Sequence, residues 1–191
     1  MTRGGAPAME TRDRVDDRPI AVIGVGNVLL GDDGVGVRVV ESLGRTARSH
    51  PGALPRGCRL LDGGTLGIDL LRDVEDATAL VLVDAVDLGH APGTVSVMRG
   101  DRLTTTGGSR ARSRQGGVGE LLAIARLLAI LPREVVLVGV QAGEINVGTG
   151  LSRGVTAALP AAVEAVRREV FALAAAGAMP SRPAELSGAS S

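Results

Sequence analysis

Six carboxylates stand at or just beyond the ends of apolar runs in this 191-residue chain: Asp32, Asp33, Asp62, Asp84, Asp87 and Glu144. Acids that converge in one crevice repel each other unless they are protonated or bridged by a cation, so the pattern points to metal-linked chemistry. A carboxylate beside a metal-polarised carbonyl or a metal-activated water can act as general base in hydrolysis. Plainer roles compete. Asp32 or Asp33 could cap a following helix, and Asp62, ahead of Gly63-Gly64, could simply make a turn. Asp84 resists a plain reading, because it interrupts the apolar Leu80-Val-Leu-Val83 and Ala85-Val86, where an unpaired charge is costly.

The remaining composition removes several chemistries. All 21 basic residues are Arg, so the phosphate-loop lysine, Schiff-base lysines and Ser-Lys dyads are excluded. His50 lies in a His-Pro-Gly turn and His90 in the loop beyond Asp84 and Asp87. His90 could swing toward those acids or simply be solvated; neither histidine sits in a nucleophile context, which leaves a Ser-His-Asp triad unsupported. The lone Cys58 opens an apolar run and reads as a buried structural thiol in a reducing compartment. Zero formal charge and a single aromatic, Phe171, disfavour nucleic acid as a partner. No apolar window approaches a membrane span of about twenty residues, and the polar Met1 to Arg18 segment lacks a signal-peptide core. A cytoplasmic protein with no membrane partner is expected.

The elements that must position the acids follow from apolar patterning. Continuous runs at Ile20 to Val25, Ala79 to Val86 and Val135 to Val140 suit strands buried on both faces of a parallel sheet, with a further strand at Arg59-Leu-Leu61. Gly24 and Gly26 then let the chain turn toward a helix that begins near Asp33 and stops at Gly44, followed by loop to Gly57. A short helix is expected over 67–74. Thr94 to Met98 alternates polar with apolar, as in an antiparallel or edge strand. Gly100 to Gly119 has no periodicity and reads as a long functional loop. Helices follow over 120–131, with Leu127, Leu128 and Leu131 on its apolar stripe, and over 156–176.

Strands separated by helices predict an α/β three-layer sandwich with a mainly parallel twisted sheet flanked by helices. One domain is expected over 19–176, between disordered termini at 1–18 and 177–191. Sheets of this type open their sites at the carboxyl ends of the strands, where the six acids fall. A dinucleotide fold is the rival, since Gly24-Val-Gly26 follows a strand. Its third glycine should stand at position 29, which is leucine, and two aspartates close by would repel a diphosphate.

Five segments carry a family resemblance: Gly24-Val-Gly-Asn-Val-Leu-Leu-Gly-Asp-Asp-Gly34, Asp62-Gly-Gly-Thr65, Leu82-Val-Asp-Ala85, Pro92-Gly-Thr94 and Val138-Gly-Val-Gln141. In this order and spacing the chain resembles the hydrogenase maturation proteases of [NiFe] hydrogenases. The resemblance implies a monomeric, aspartic-type, metal-dependent endopeptidase that removes the C-terminal extension of a large-subunit precursor after nickel insertion. Nickel is then recognised in the substrate rather than held as a permanent cofactor. By motif, Asp33 and Asp84 carry over as the catalytic and nickel-facing acids, and Asp62, Gly63, Gly64 and Thr65 as substrate-binding residues. Arg114 stands where the family carries a histidine ligand, and a guanidinium has no lone pair to give a metal. A family member that binds the precursor without cutting it is the alternative, ahead of a nucleotide-binding protein.

Overall fold

The computed structural model describes residues 19–65, 69–100, 103 and 117–177. Its sheet has five strands, β1 (Ile20–Val25), β2 (Cys58–Gly64), β3 (Ala79–Val86), β4 (Val95–Arg99) and β5 (Glu134–Gln141), in the order β2-β1-β3-β5-β4. Four strands run parallel, and β4 closes one edge antiparallel to β5, as its alternating pattern requires. The helices are α1 (Val35–Ser49), α2 (Leu71–Glu75), α3 (Val118–Leu127) and α4 (Arg153–Gly177), and a 3-10 turn over Gly31–Gly34 precedes α1. Among the described residues no helix is long and apolar enough to cross a membrane. The proposed termini, 1–18 and most of 177–191, lie outside the described residues, although Gly177 still belongs to α4.

Two apolar layers follow from the two faces of each strand. Val22, Val81, Val83, Val136, Val138 and Val140 pack with Val39 and Leu43 of α1 and Val166 and Val170 of α4. Ala21, Ile23, Leu80, Leu82 and Leu137 pack on the opposite side with Val74 of α2 and Leu121 and Ala125 of α3. The three-layer sandwich is therefore realised, and β1, β3 and β5 bury most of their side chains because helices cover both faces, whereas β2 and β4 are largely part-buried.

Several elements differ from the sequence-based expectation. Helix α1 passes through Gly44 to Ser49, since Gly44 does not take the left-handed backbone that would end a helix there. Gly24 does not turn the chain; it lies inside β1, where a Cβ would overlap the Gly36 carbonyl of α1. Helix α3 begins at Val118 and ends at Leu127, with Ala129 at φ +56°, so Leu127 and Leu128 leave the apolar stripe and are exposed. Leu103, within the stretch read as loop, is helical and buried against the second layer.

Cys58 is partly buried against the first layer, and burial pushes its thiol up to about 11. Because the thiolate is the nucleophile, a disulfide reagent at pH 8 is expected to label the folded protein about a hundredfold more slowly than the denatured chain. Equal rates would refute that burial.

Candidate active site

Asp33 reaches the carboxyl edge of the sheet through the turn between β1 and α1. The turn needs Gly26, whose φ of +127° is left-handed and whose Cβ, if present, would overlap the Asp33 carbonyl oxygen. The backbone N–H of Asn27 donates to Asp33 Oδ2 at 2.7 Å, and the Asn27 side chain accepts from Leu29 N–H at 2.9 Å. One oxygen of the carboxylate is thereby fixed, and the group is only partly buried. It does not cap α1, whose N-cap is Gly34 without a side-chain bond.

Asp84 occupies β3 on the same side as Leu80, Leu82 and Val86, the side covered by α2 and α3. Its Oδ1 accepts the Ala85 N–H at 2.8 Å, and a second backbone bond comes from Val118 at the first turn of α3. Burial, and then the neighbouring Asp33 carboxylate, push Asp84 up to about 8 against those two donors. Two carboxylates, one from a turn and one from a strand, thus share one field. Burial and the Asp33 charge both favour the protonated form of Asp84, and an incoming cation would favour its ionised form.

Asp32 faces away from this pair. It is fully buried, and its Oδ2 accepts N–H groups from Gly143 at 2.8 Å and Glu144 at 2.9 Å, while Oδ1 accepts Ser152 N–H at 2.6 Å. Burial alone would raise its pKa, but the bonds from Glu144, Ser152 and Gly143 outweigh it and hold the carboxyl below its ordinary value. A depressed carboxylate stabilises the fold above its unfolded pKa, and that contribution disappears as pH falls through the folded value. Ser152 also receives Val155 N–H on its hydroxyl at 3.5 Å and so caps α4. The paired acids of the sequence have therefore divided: Asp33 faces Asp84, and Asp32 anchors a distant loop.

The Asp62-Gly-Gly-Thr65 turn lies beside the first turn, with Gly26 N–H donating to the Gly64 carbonyl at 2.8 Å. Asp62 Oδ1 accepts Gly64 N–H at 3.0 Å and closes a small turn, which leaves Asp62 and Thr65 exposed. Gly63 is enclosed: a Cβ there would come within 2.8 Å of Ile23 and 3.0 Å of Leu70.

The expected ring of acids does not form. Among the described residues no three His, Cys, Asp or Glu side chains stand together as a metal site. Glu144 is exposed, and Asp87 is also exposed, accepting from the Gln141 amide at 3.3 Å. Gln141 is the residue that sequence reasoning passed over. Buried at the end of β5, it accepts Leu88 N–H at 2.8 Å and His90 N–H at 3.3 Å and so shapes the loop after β3. A buried polar residue closing an apolar strand was its signal, the same signal that marked Asp84. His90 is exposed, and Arg114 lies outside the described residues.

Comparison with known proteins gives this edge its context. A family model described as hydrogenase maturation protease matches residues 37–169. HupM, a hydrogenase expression/formation protein of Azotobacter chroococcum, is 44% identical over 128 residues, which cover 66% of this chain and 59% of that protein. The chain thus spans less than two thirds of that relative's length. The hydrogenase 2 maturation protease of Escherichia coli is 34% identical over 148 residues, covering 77% of this chain and 87% of it. The solved hydrogenase maturating endopeptidase HybD of E. coli superposes with a TM-score of 0.69 at 32% identity, covering 83% of this chain and 94% of that one. With the motif-bearing turns at the carboxyl edge of such a sheet, the chain belongs to the hydrogenase maturation protease family.

Proposed function

We propose that the protein is an endopeptidase that removes the C-terminal extension of a [NiFe] hydrogenase large-subunit precursor once nickel has been inserted, acting as a monomer in the cytoplasm. The observation that carries this reading is the electrostatic coupling of Asp84 to Asp33 at the carboxyl edge, inside a fold of this family. In this reading nickel arrives as part of the substrate, and the two carboxylates are the acids among the described residues that would face it. When the precursor brings that cation to the pair, Asp84 would lose its proton, and a carboxylate would then be free to accept one from the attacking water. Asp62, Gly63, Gly64 and Thr65 would hold the precursor chain alongside.

The test is incubation of the purified protein with nickel-loaded and nickel-free precursor. The nickel-loaded form should be shortened and the nickel-free form left intact, while Asp33→Ala and Asp84→Ala should each lower the rate by at least about a hundredfold. Normal processing by both variants would overturn the assignment. Binding without cleavage by the unmodified protein would identify a non-cutting family member instead.

A further inference from the structure

The loop between β5 and α4 is fastened to the acid-bearing turn near both ends and at Gly148. Asp32 holds its two ends through Gly143, Glu144 and Ser152. Backbone bonds hold its middle: Gly31 N–H to Gly148 O at 2.8 Å, Gly148 N–H to Leu29 O at 2.9 Å, and Asp32 N–H to Glu144 O at 3.0 Å. Leu30 and Gly148 form a parallel bridge, so Leu29 and Val147, each one residue earlier, stand beside one another.

Alongside the exposed Glu144, Asn146 and Thr149, this loop and the turn it is fastened to display apolar side chains. Val147 is 93% exposed, Leu29 58% and Ile145 40%, and these are three of the six large hydrophobic residues exposed among the described residues. Flexible loops can turn such side chains away from water, but these are presented by backbone that is hydrogen-bonded on both sides. A small apolar rim on an ordered support beside a reactive site is suited to gripping an extended chain.

We propose that Leu29, Ile145 and Val147 form the rim that binds apolar side chains of the precursor's C-terminal extension next to the scissile bond, and that Asp32 is the positioning residue that fixes it. This rests on the endopeptidase reading above. Leu29 and Asp33 belong to one turn, and the Asp32 carboxylate ties that turn to the loop that carries Ile145 and Val147. Asp32 makes no contact with the substrate; it acts by holding the loop, and its buried carboxylate accepts N–H groups that would otherwise have no partner.

The experiment uses the full chain with nickel-loaded precursor, and with the same large subunit lacking its extension. The double variant Ile145→Ser/Val147→Ser should fold normally, because both side chains are exposed, and should raise KM about tenfold with kcat nearly unchanged. Its affinity for the complete precursor should fall by a similar factor, and its affinity for the truncated subunit should not change. Asp32→Ala should raise KM likewise and open the loop to thermolysin cleavage before Ile145 or Val147, which the unmodified protein resists. Unchanged KM and affinity in the double variant, while the unmodified protein cleaves, would overturn the rim and leave the endopeptidase reading intact. If the unmodified protein binds without cutting, the affinities alone decide the rim. If it does neither, both readings fail. Dimerisation of this chain that the double variant abolishes would assign the rim to self-association and also overturn the proposal.

Discussion

Replacing Asp84 with asparagine is expected to abolish precursor cleavage while making the protein more stable at alkaline pH. Asparagine is close in shape to a protonated aspartic acid, and its Oδ1 can still accept the Ala85 N–H group. The fold should therefore survive while the ionisable group disappears. In the unmodified protein the folded state keeps the Asp84 proton up to about 8, whereas the unfolded chain releases it near 3.8. Across that interval the unfolded state binds fewer protons, so this residue lowers stability as pH rises, and the loss is complete above the folded pKa.

Asp84→Asn has no such proton, so the two proteins should have similar stability at pH 4 and diverge up to pH 9. There the variant should lead by at least about 2 kcal/mol, equivalent to a melting temperature higher by about 5 °C. Urea unfolding at pH 4, 6 and 9 measures the divergence, and parallel curves would show that Asp84 ionises freely. Gain of stability together with loss of cleavage is the expected mark of a carboxyl placed for reaction at a cost to the fold.

The two acids of the Asp32-Asp33 pair were not equally readable. Asp33 could be chosen only by the motif it completes. Asp32 could not be assigned at all, because its partners lie 111 to 120 residues away and nothing in the local sequence announces them. Strands β1, β3 and β5 were legible because runs buried on both faces have one simple pattern. The end of α3 was not, because Leu127 and Leu128 continue a helical spacing that the left-handed backbone at Ala129 interrupts. Grouping the acids as a ring failed for a related reason. Topology brought all six to one edge, but side-chain direction and local bonds leave only Asp33 and Asp84 facing each other, while Asp62, Asp87 and Asp32 are engaged with backbone or amide groups of their own surroundings.

Gly36→Ala should be severely damaging, and the reason explains why the dinucleotide reading nearly fitted. That fingerprint requires a third glycine for close packing of helix on strand. Position 29 is leucine, yet the requirement itself is met by Gly36, because the 3-10 turn over Gly31–Gly34 is inserted before α1 begins. A Cβ on Gly36 would overlap the carbonyl oxygens of Val83 and Val25 and stand 2.8 Å from the Val25 nitrogen. All three are backbone atoms of central strands, which cannot swing aside as a side chain can. Helix α1 must therefore lift from the sheet, with an expected loss of about 3 kcal/mol or more. Val83 immediately precedes Asp84, and α1 directly follows the turn that carries Asp33, so the same displacement should part the two acids. Whatever variant protein remains folded at low temperature should cleave the precursor at a small fraction of the normal rate, and its Asp84 pKa, followed by carboxyl NMR, should fall as Asp33 recedes. A variant with normal melting temperature and normal cleavage would show that the close approach of α1 to β1 and β3 does not set the geometry of the pair.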